Sequence, residues 1–109
     1  MPHFTWTRLQ DEVSRWGDRN FPDSVVEWQI WGLIEELGEL THAHLKRIQG
    51  IRGSSEKHVA AGKDAIGDSV IYLMHAFSSL GWQASEVLRS TSTEEFQKTF
   101  TITAAVGRT

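Results

Sequence analysis

The sequence contains no cysteine and only two prolines, Pro2 and Pro22. The lack of cysteine excludes a disulfide framework, a thiolate metal site and a cysteine nucleophile. No stretch approaches the roughly 18 apolar residues that a membrane-spanning helix needs. The first residues also lack the apolar run behind a basic cluster that is typical of a secretory signal. We therefore expect a soluble, cytoplasmic chain that does not insert into a membrane.

Positive charge is in deficit as well, since 11 Lys and Arg residues stand against 14 Asp and Glu residues, for a formal net charge of −3. This balance argues against a protein that holds a nucleic acid polymer through a basic face. Hydrophobic residues make up 39% of the 109 residues, and this length supports one core. The sequence predicts a single domain over residues 1–109, with its weakest pattern in the tail, residues 90–109.

Helical periodicity dominates the first half of the chain. The first predicted helix has one apolar face, made of Trp6, Leu9, Val13 and Trp16. It is expected to stop near Gly17 to Asn20. A capping box of Ser24 and Glu27 predicts the start of a second helix, which ends near Gly50. The expected core stripe of this second helix is Val26, Ile30, Leu33, Leu37, Leu40 and His44.

The third predicted helix runs from about Glu56 to Leu80 and is closed by Gly81. Its second half, from Val70 to Phe77, is apolar on nearly every side and is therefore expected to be buried all round. Such a helix needs more cover than three short neighbours supply. We therefore expect self-association to complete the core.

The end of the chain adds shorter elements. A fourth helix is predicted around Gln83 to Arg89. Ser92 and Glu95 would cap a fifth helix, which carries Phe96 and Phe100. Strand-type alternation is absent apart from residues 101–103. The predicted fold class is all-α, an antiparallel helical bundle of four to five helices completed by oligomerisation.

Two acidic motifs lie on the two longest predicted helices. In the second helix Glu36 and Glu39 lie about 60° apart on one edge of the core stripe, with Glu35 just outside it. In the third helix Asp64 and Asp68 stack one turn apart. Either motif alone is typical of a solvated face. Together, and both next to core residues, they favour a shared divalent cation, because Mg²⁺ and Mn²⁺ prefer hard oxygen ligands.

These motifs resemble the MazG-like superfamily of all-α nucleoside triphosphate pyrophosphohydrolases. The similar segments are Trp16 with Asn20-Phe21-Pro22, residues 32–40 and residues 63–73. The resemblance spans roughly residues 5–80. It implies Mg²⁺-dependent hydrolysis of a nucleoside triphosphate to the monophosphate and pyrophosphate, with Mn²⁺ as a substitute metal. It also implies clearance of non-standard or surplus nucleotides by a homodimer or homotetramer.

The resemblance also implies roles for the acidic residues. Carried over by position, the metal ligands are Glu36, Glu39 and Asp68. Glu35 resembles the carboxylate that takes a second metal ion or activates water, and it is the expected catalytic residue. The position three before Asp68 is often Glu in the family but is Ala65 here, so Asp64 is expected to substitute as the fourth ligand.

Substrate contacts are predicted from basic and aromatic residues near these motifs. Arg52 lies in the loop before the third helix, and Lys57 and Lys63 lie at the start of that helix. We expect these three residues to bind the distal phosphates. Trp28 lies two turns before Glu36 on the same edge. It either stacks on a base or packs at a subunit contact, and the sequence does not choose between these.

Two other functions stay open at the level of sequence. One is a non-catalytic helical interaction or regulatory module on the same scaffold. The Ala65 departure and the tail that does not align with the family keep this alternative open. The other is a carboxylate-bridged di-iron protein, because Glu39 and His42 form a Glu-x-x-His motif. Such iron sites need two of these motifs, and the sequence has no second one.

Overall fold

The computed structural model describes residues 3–91 of the chain, and it is all-helical. Three long helices follow one another, α1 (Trp6–Asn20), α2 (Val26–Gln49) and α3 (Ser55–Leu80). A shorter helix, α4, covers residues 84–91. No residue between 3 and 91 lies in a β-strand, which confirms the all-α class. The fifth helix expected around Phe96 and Phe100 lies outside the described residues.

Helices α2 and α3 pack side by side, and α1 packs against α3. The Tyr72 ring lies directly against Gly32, and ten residues earlier in α3 Gly62 lies opposite Leu40. Because contacts move down one helix as they move up the other, α2 and α3 run antiparallel. Their connection is a short loop, in which Gly50 adopts the left-handed conformation and the Ser54 hydroxyl caps α3.

The buried face of α1 differs from the predicted one. Val13 is buried as expected, but Trp6 and Trp16 are exposed, and Gln10 and Gly17 take the inner positions. The amide of Gln10 explains this shift. Its Nε2 donates to the Trp82 carbonyl at 2.7 Å, and its Oε1 accepts from the Ala84 amide at 2.8 Å. A buried polar side chain is tolerated when it is satisfied in this way, and here it ties α1 to the start of α4.

The capping box predicted at the start of α2 is wrong. The N-cap is Val25, and no side chain accepts a hydrogen bond from the first turn. Ser24 instead lies one residue further out, where its hydroxyl accepts a hydrogen bond from Gln29 Nε2 at 3.3 Å. The hydroxyl that would have capped the helix therefore positions a buried amide.

The core stripe predicted for α2 is only partly correct, since three of its six members are half-buried and three are exposed. Its buried residues are Gln29, Glu36 and Ala43, and Val26, Leu33 and Leu40 lie half-buried between them. The remaining predicted members, Ile30, Leu37 and His44, are exposed. The helix is rotated by about 60° from the expected orientation. The reason is steric, because Gly32 and Ala43 let α3 approach on the side that carries Glu36.

The prediction for α3 is confirmed. The helix begins one residue before the expected start and ends at Leu80, with Gly81 in the left-handed conformation. Every residue from Val70 to Phe77 is buried or half-buried. Met74, Phe77 and Val13 form the centre of the core together with Ala84 of α4. None of the helices in the described part of the chain is long and apolar enough to cross a membrane.

Candidate metal and nucleotide site

The acidic motif of α2 forms a compact cluster of three carboxylates. One oxygen from each of Glu35, Glu36 and Glu39 lies within 4.8 Å of the others. The helix itself imposes this proximity, since residues three and four apart are neighbours on its surface. Glu35 and Glu39 are exposed, whereas Glu36 points into the seam between α2 and α3. The cluster therefore has a buried member and two members open to solvent.

Glu36 is the most perturbed acid in the described structure. Only 9% of its surface is exposed, and its Oε2 is buried without a hydrogen-bond partner among residues 3–91. The pKa of Glu36 is raised from 4.5 to about 7. Burial is the largest cause of this rise, and a hydrogen bond with the Glu39 side chain is the second. The negative charges of Glu39, Asp68 and Glu35 are smaller contributions to the same rise. A buried acid of this kind is typical of a functional site.

The acids of α3 approach this cluster unequally. Asp68 is half-buried and close enough to Glu36 to raise its pKa, but it lies outside the group of oxygens within 4.8 Å. Asp64 is exposed and lies outside that group as well. Ala65, which lies between these two acids in the sequence, is 1% exposed, so a charged side chain at this position would be buried between the helices.

The basic residues predicted to meet phosphates are all at the surface. Arg52 lies in the loop before α3 with a φ of 60°, and Lys57 and Lys63 lie on the first half of α3. Among the described residues the salt bridge joins Arg8 and Glu12 of α1, so none of these three cations is paired with a carboxylate. The structure shows no contact between them and the acidic cluster.

An aromatic cleft opens near the start of α2. It has a volume of about 400 Å³ and is bordered by Phe21, Trp28 and Tyr72. Its polar lining comes from Asn20, Asp23, Ser24 and Gln29. A volume of this size and an apolar wall with a few polar groups are typical of a small-molecule site. Trp28, which the sequence identified, is exposed at this cleft.

The cleft and the acidic cluster lie along the same seam. Gln29 and Glu36 occupy equivalent positions two turns apart on α2, about 10 Å along the helix axis. Tyr72 and Asp68 occupy equivalent positions one turn apart on α3. Because the helices are antiparallel, both steps lead in the same direction. A ligand in the cleft therefore lies within reach of the carboxylates.

Sequence reasoning missed two residues of this cleft. The sequence places Tyr72 in the apolar run and in the matching residues 63–73, but it predicts no ligand contact for Tyr72, which follows Asp68 at a spacing of one helical turn. Gln29 was not identified, because the predicted stripe placed Val26 and Ile30 inside instead. A polar residue next to Trp28 gave no signal of its own until the true orientation of α2 was known.

The chain matches no protein-family model, and it has no significant match among curated proteins or solved structures.

Proposed function

We propose that this protein is a Mg²⁺-dependent nucleotide pyrophosphohydrolase, which converts a nucleoside triphosphate and water into the monophosphate and pyrophosphate. The observation that carries the proposal is the buried, unpartnered Oε2 of Glu36 inside a cluster of carboxylates. The aromatic cleft on the same seam supports it. The resemblance of the two acidic motifs to the MazG-like superfamily also supports it.

The donor set of the cluster fits a hard divalent cation. Its three members offer only oxygen atoms, which Mg²⁺ and Mn²⁺ prefer, and Oε2 of Glu36 has a coordination position to fill. Glu36 and Glu39 would hold the ion, with Asp68 and Asp64 completing the set from α3. When bound, Mg²⁺ supplies charge neutralisation at the phosphate oxygens and polarisation of the phosphorus.

The other residues take roles that follow from their positions. Glu35 is exposed at the edge of the cluster, where its carboxylate would orient the attacking water and accept its proton. Lys57, Lys63 and Arg52 would bind the distal phosphates through charge, since none of them is paired with a carboxylate within residues 3–91. Trp28 would stack on the base in the aromatic cleft.

An assay of pyrophosphate release tests this proposal. The purified protein is incubated with Mg²⁺ and a panel of ribonucleoside and deoxyribonucleoside triphosphates and diphosphates. We expect release of pyrophosphate from at least one triphosphate, and loss of release when Mg²⁺ is removed with a chelator. Absence of release from every nucleotide, in Mg²⁺ and in Mn²⁺ alike, would contradict the proposal.

We propose in addition that the protein self-associates through an exposed apolar stripe of α2. The stripe spans an arc of about 80° around the helix axis, on the side of α2 that faces away from α3. Its members are Ile30, Ile34, Leu37, Leu45 and Ile48. A contiguous apolar face of this kind is typical of an interface. A homodimer or homotetramer would cover it.

This outer stripe is also the observation that favours the second candidate, a helical interaction module without catalysis. Such a module would use the stripe to bind another protein, and its acidic cluster would bind no nucleotide. The two candidates differ in the nucleotide assay. The interaction module predicts no pyrophosphate release and identical behaviour of the wild type and a Glu36→Gln variant.

A further inference from the structure

Gln29 is a buried amide whose side-chain oxygen has no hydrogen-bond partner among the described residues. Its side chain is 2% exposed, and its Nε2 donates to the Ser24 hydroxyl at 3.3 Å. Its Oε1 is buried too, and no described residue donates a hydrogen bond to it. Buried polar atoms nearly always have a partner, so the orphaned oxygen of this cleft-lining residue indicates a ligand that brings the donor.

The cleft defines what kind of ligand this is. Its aromatic border, formed by Phe21, Trp28 and Tyr72, offers flat apolar surfaces. Flat heteroaromatic rings bind such surfaces by stacking, which is how proteins hold nucleobases without regard to their identity. Stacking alone does not distinguish one base from another, whereas a hydrogen bond at the ring edge does. Gln29 lines the cleft and can form that bond.

We propose that Gln29 selects the base of the bound nucleotide, with its Oε1 accepting a hydrogen bond from a ring N–H or an exocyclic amino group. This inference rests on the proposed function, because it assumes that the cleft holds the nucleoside part of a nucleotide. It goes further in assigning the group that discriminates between bases. The distance of about 10 Å from Gln29 to Glu36 along α2 places the phosphates of the same ligand near the carboxylates.

Ser24 has a supporting role in this assignment. Its hydroxyl accepts the hydrogen bond from Gln29 Nε2, which orients the amide so that the oxygen is the unpaired end. Ser24 can make this hydrogen bond because it lies outside the N-cap position and does not cap α2. A base without a donor at this edge leaves Oε1 desolvated and unpaired, and such a base is rejected strongly in a site built for a hydrogen bond.

The test uses nucleosides, which carry no phosphate and need no metal ion. Binding of adenosine, cytidine, guanosine and uridine to the full chain is measured by NMR titration without Mg²⁺. The best-bound nucleoside is then compared with the derivative whose N–H donor is replaced by N-methyl groups. For the wild type we expect methylation to weaken binding at least about tenfold. In Gln29→Leu we expect the methylated and unmethylated forms to bind about equally.

Two further variants separate selection from structure. Gln29→Glu keeps an accepting oxygen in a side chain of the same length, so it should retain the methylation penalty. Gln49→Leu makes the same exchange at an exposed glutamine of α2 and should leave all affinities unchanged. A merely structural role for Gln29 would weaken every nucleoside alike in the leucine variant and would leave the penalty in place.

Two results would overturn the inference: an equal methylation penalty in the wild type and Gln29→Leu, or no binding of any nucleoside to the wild type at millimolar concentration. Pyrophosphate release from nucleoside triphosphates is measured with Mg²⁺ on the same protein preparations. Release combined with either of those results refutes only the role of Gln29. Selective nucleoside binding without release refutes only the hydrolytic function.

Discussion

Each face of α2 carries residues that an ordinary amphipathic helix places on its opposite face. Its inner face, packed against α3, buries the polar side chains of Gln29 and Glu36. Its outer face exposes the apolar stripe that includes Ile34 and Ile48, of which 60% and 69% are exposed. An amphipathic helix in a monomeric protein places these classes the other way round.

This inversion has a physical consequence for each face. A buried amide oxygen and a buried carboxylate oxygen without partners destabilise the fold unless a ligand satisfies them. An exposed apolar stripe leaves hydrophobic stabilisation unused unless another surface covers it. The inner face of α2 is therefore interpreted as a ligand site and the outer face as an association surface.

The largest effect is expected at the inner face. Glu36→Gln keeps the shape of the side chain but removes the charge that holds Mg²⁺, so pyrophosphate release should fall by about 100-fold or more. Glu27→Gln is the matched control, an exposed acid in the first turn of the same helix, and should retain activity. Steady-state assays at saturating Mg²⁺ measure both variants. Equal activity of the two variants would contradict the assignment of the inner face.

The outer face is tested by placing a charge in the stripe. Ile34→Glu should weaken self-association at least about tenfold, because the carboxylate would have to be desolvated in the interface. Light scattering after size-exclusion chromatography measures the mass as a function of concentration. Ile66→Glu makes the same change at an exposed isoleucine of α3 and should leave the mass unchanged. The assignment fails if the wild type is monomeric at every concentration.

A smaller effect is expected at two glycines of α2. A Cβ at Gly32 would meet the Tyr72 ring, whereas a Cβ at Gly38 would have no described atom within 4 Å. Gly32→Ala should lower the free energy of unfolding by about 1–3 kcal/mol, since the packed helices must separate. Gly38→Ala should raise it by up to about 1 kcal/mol, through the higher helix propensity of alanine. Urea denaturation measures both changes, and equal effects at the two positions would contradict the close approach of α2 and α3.

These glycines also show why the sequence predicted the helices better than their orientation. Helix limits depend on local signals, such as Gly81 after Leu80, and these signals were read correctly for α3. The orientation of α2 depends on which face its neighbour can approach. The apolar residues of α2 surround much of its circumference, so periodicity alone selected the stripe with the most hydrophobic side chains. The small residues decided the packing instead.

The site was predictable to a similar degree. The proximity of Glu35, Glu36 and Glu39 follows from helical spacing alone and is confirmed. The burial of Glu36 depends on the orientation of α2, and the roles of Asp64 and Asp68 remain predictions. Gln29 could not be identified from sequence, because its significance lies in a missing hydrogen-bond partner, which is a property of the packed structure.

The smallest effect concerns the pH dependence of stability in the metal-free protein. The raised pKa of Glu36, about 7 against 4.5, means that the folded chain binds more protons than the unfolded chain between these values. The contribution of Glu36 to the free energy of unfolding is therefore highest below pH 4.5, falls between pH 4.5 and about 7, and is constant above that. Glu36→Gln removes this dependence. The variant should melt at a higher temperature than the wild type at pH 8, and the difference should shrink towards pH 5.

Addition of Mg²⁺ should reverse this order of melting temperatures. Ligation requires the deprotonated carboxylate, so Mg²⁺ should stabilise the wild type more at pH 8 than at pH 6, and it should stabilise Glu36→Gln weakly at both. Glu27→Gln controls for the loss of one negative charge on α2 and should follow the wild type throughout. If Mg²⁺ raised the melting temperature of Glu36→Gln as much as that of the wild type, the ion would bind elsewhere. The inner face of α2 would then carry its buried charge for a reason other than a metal.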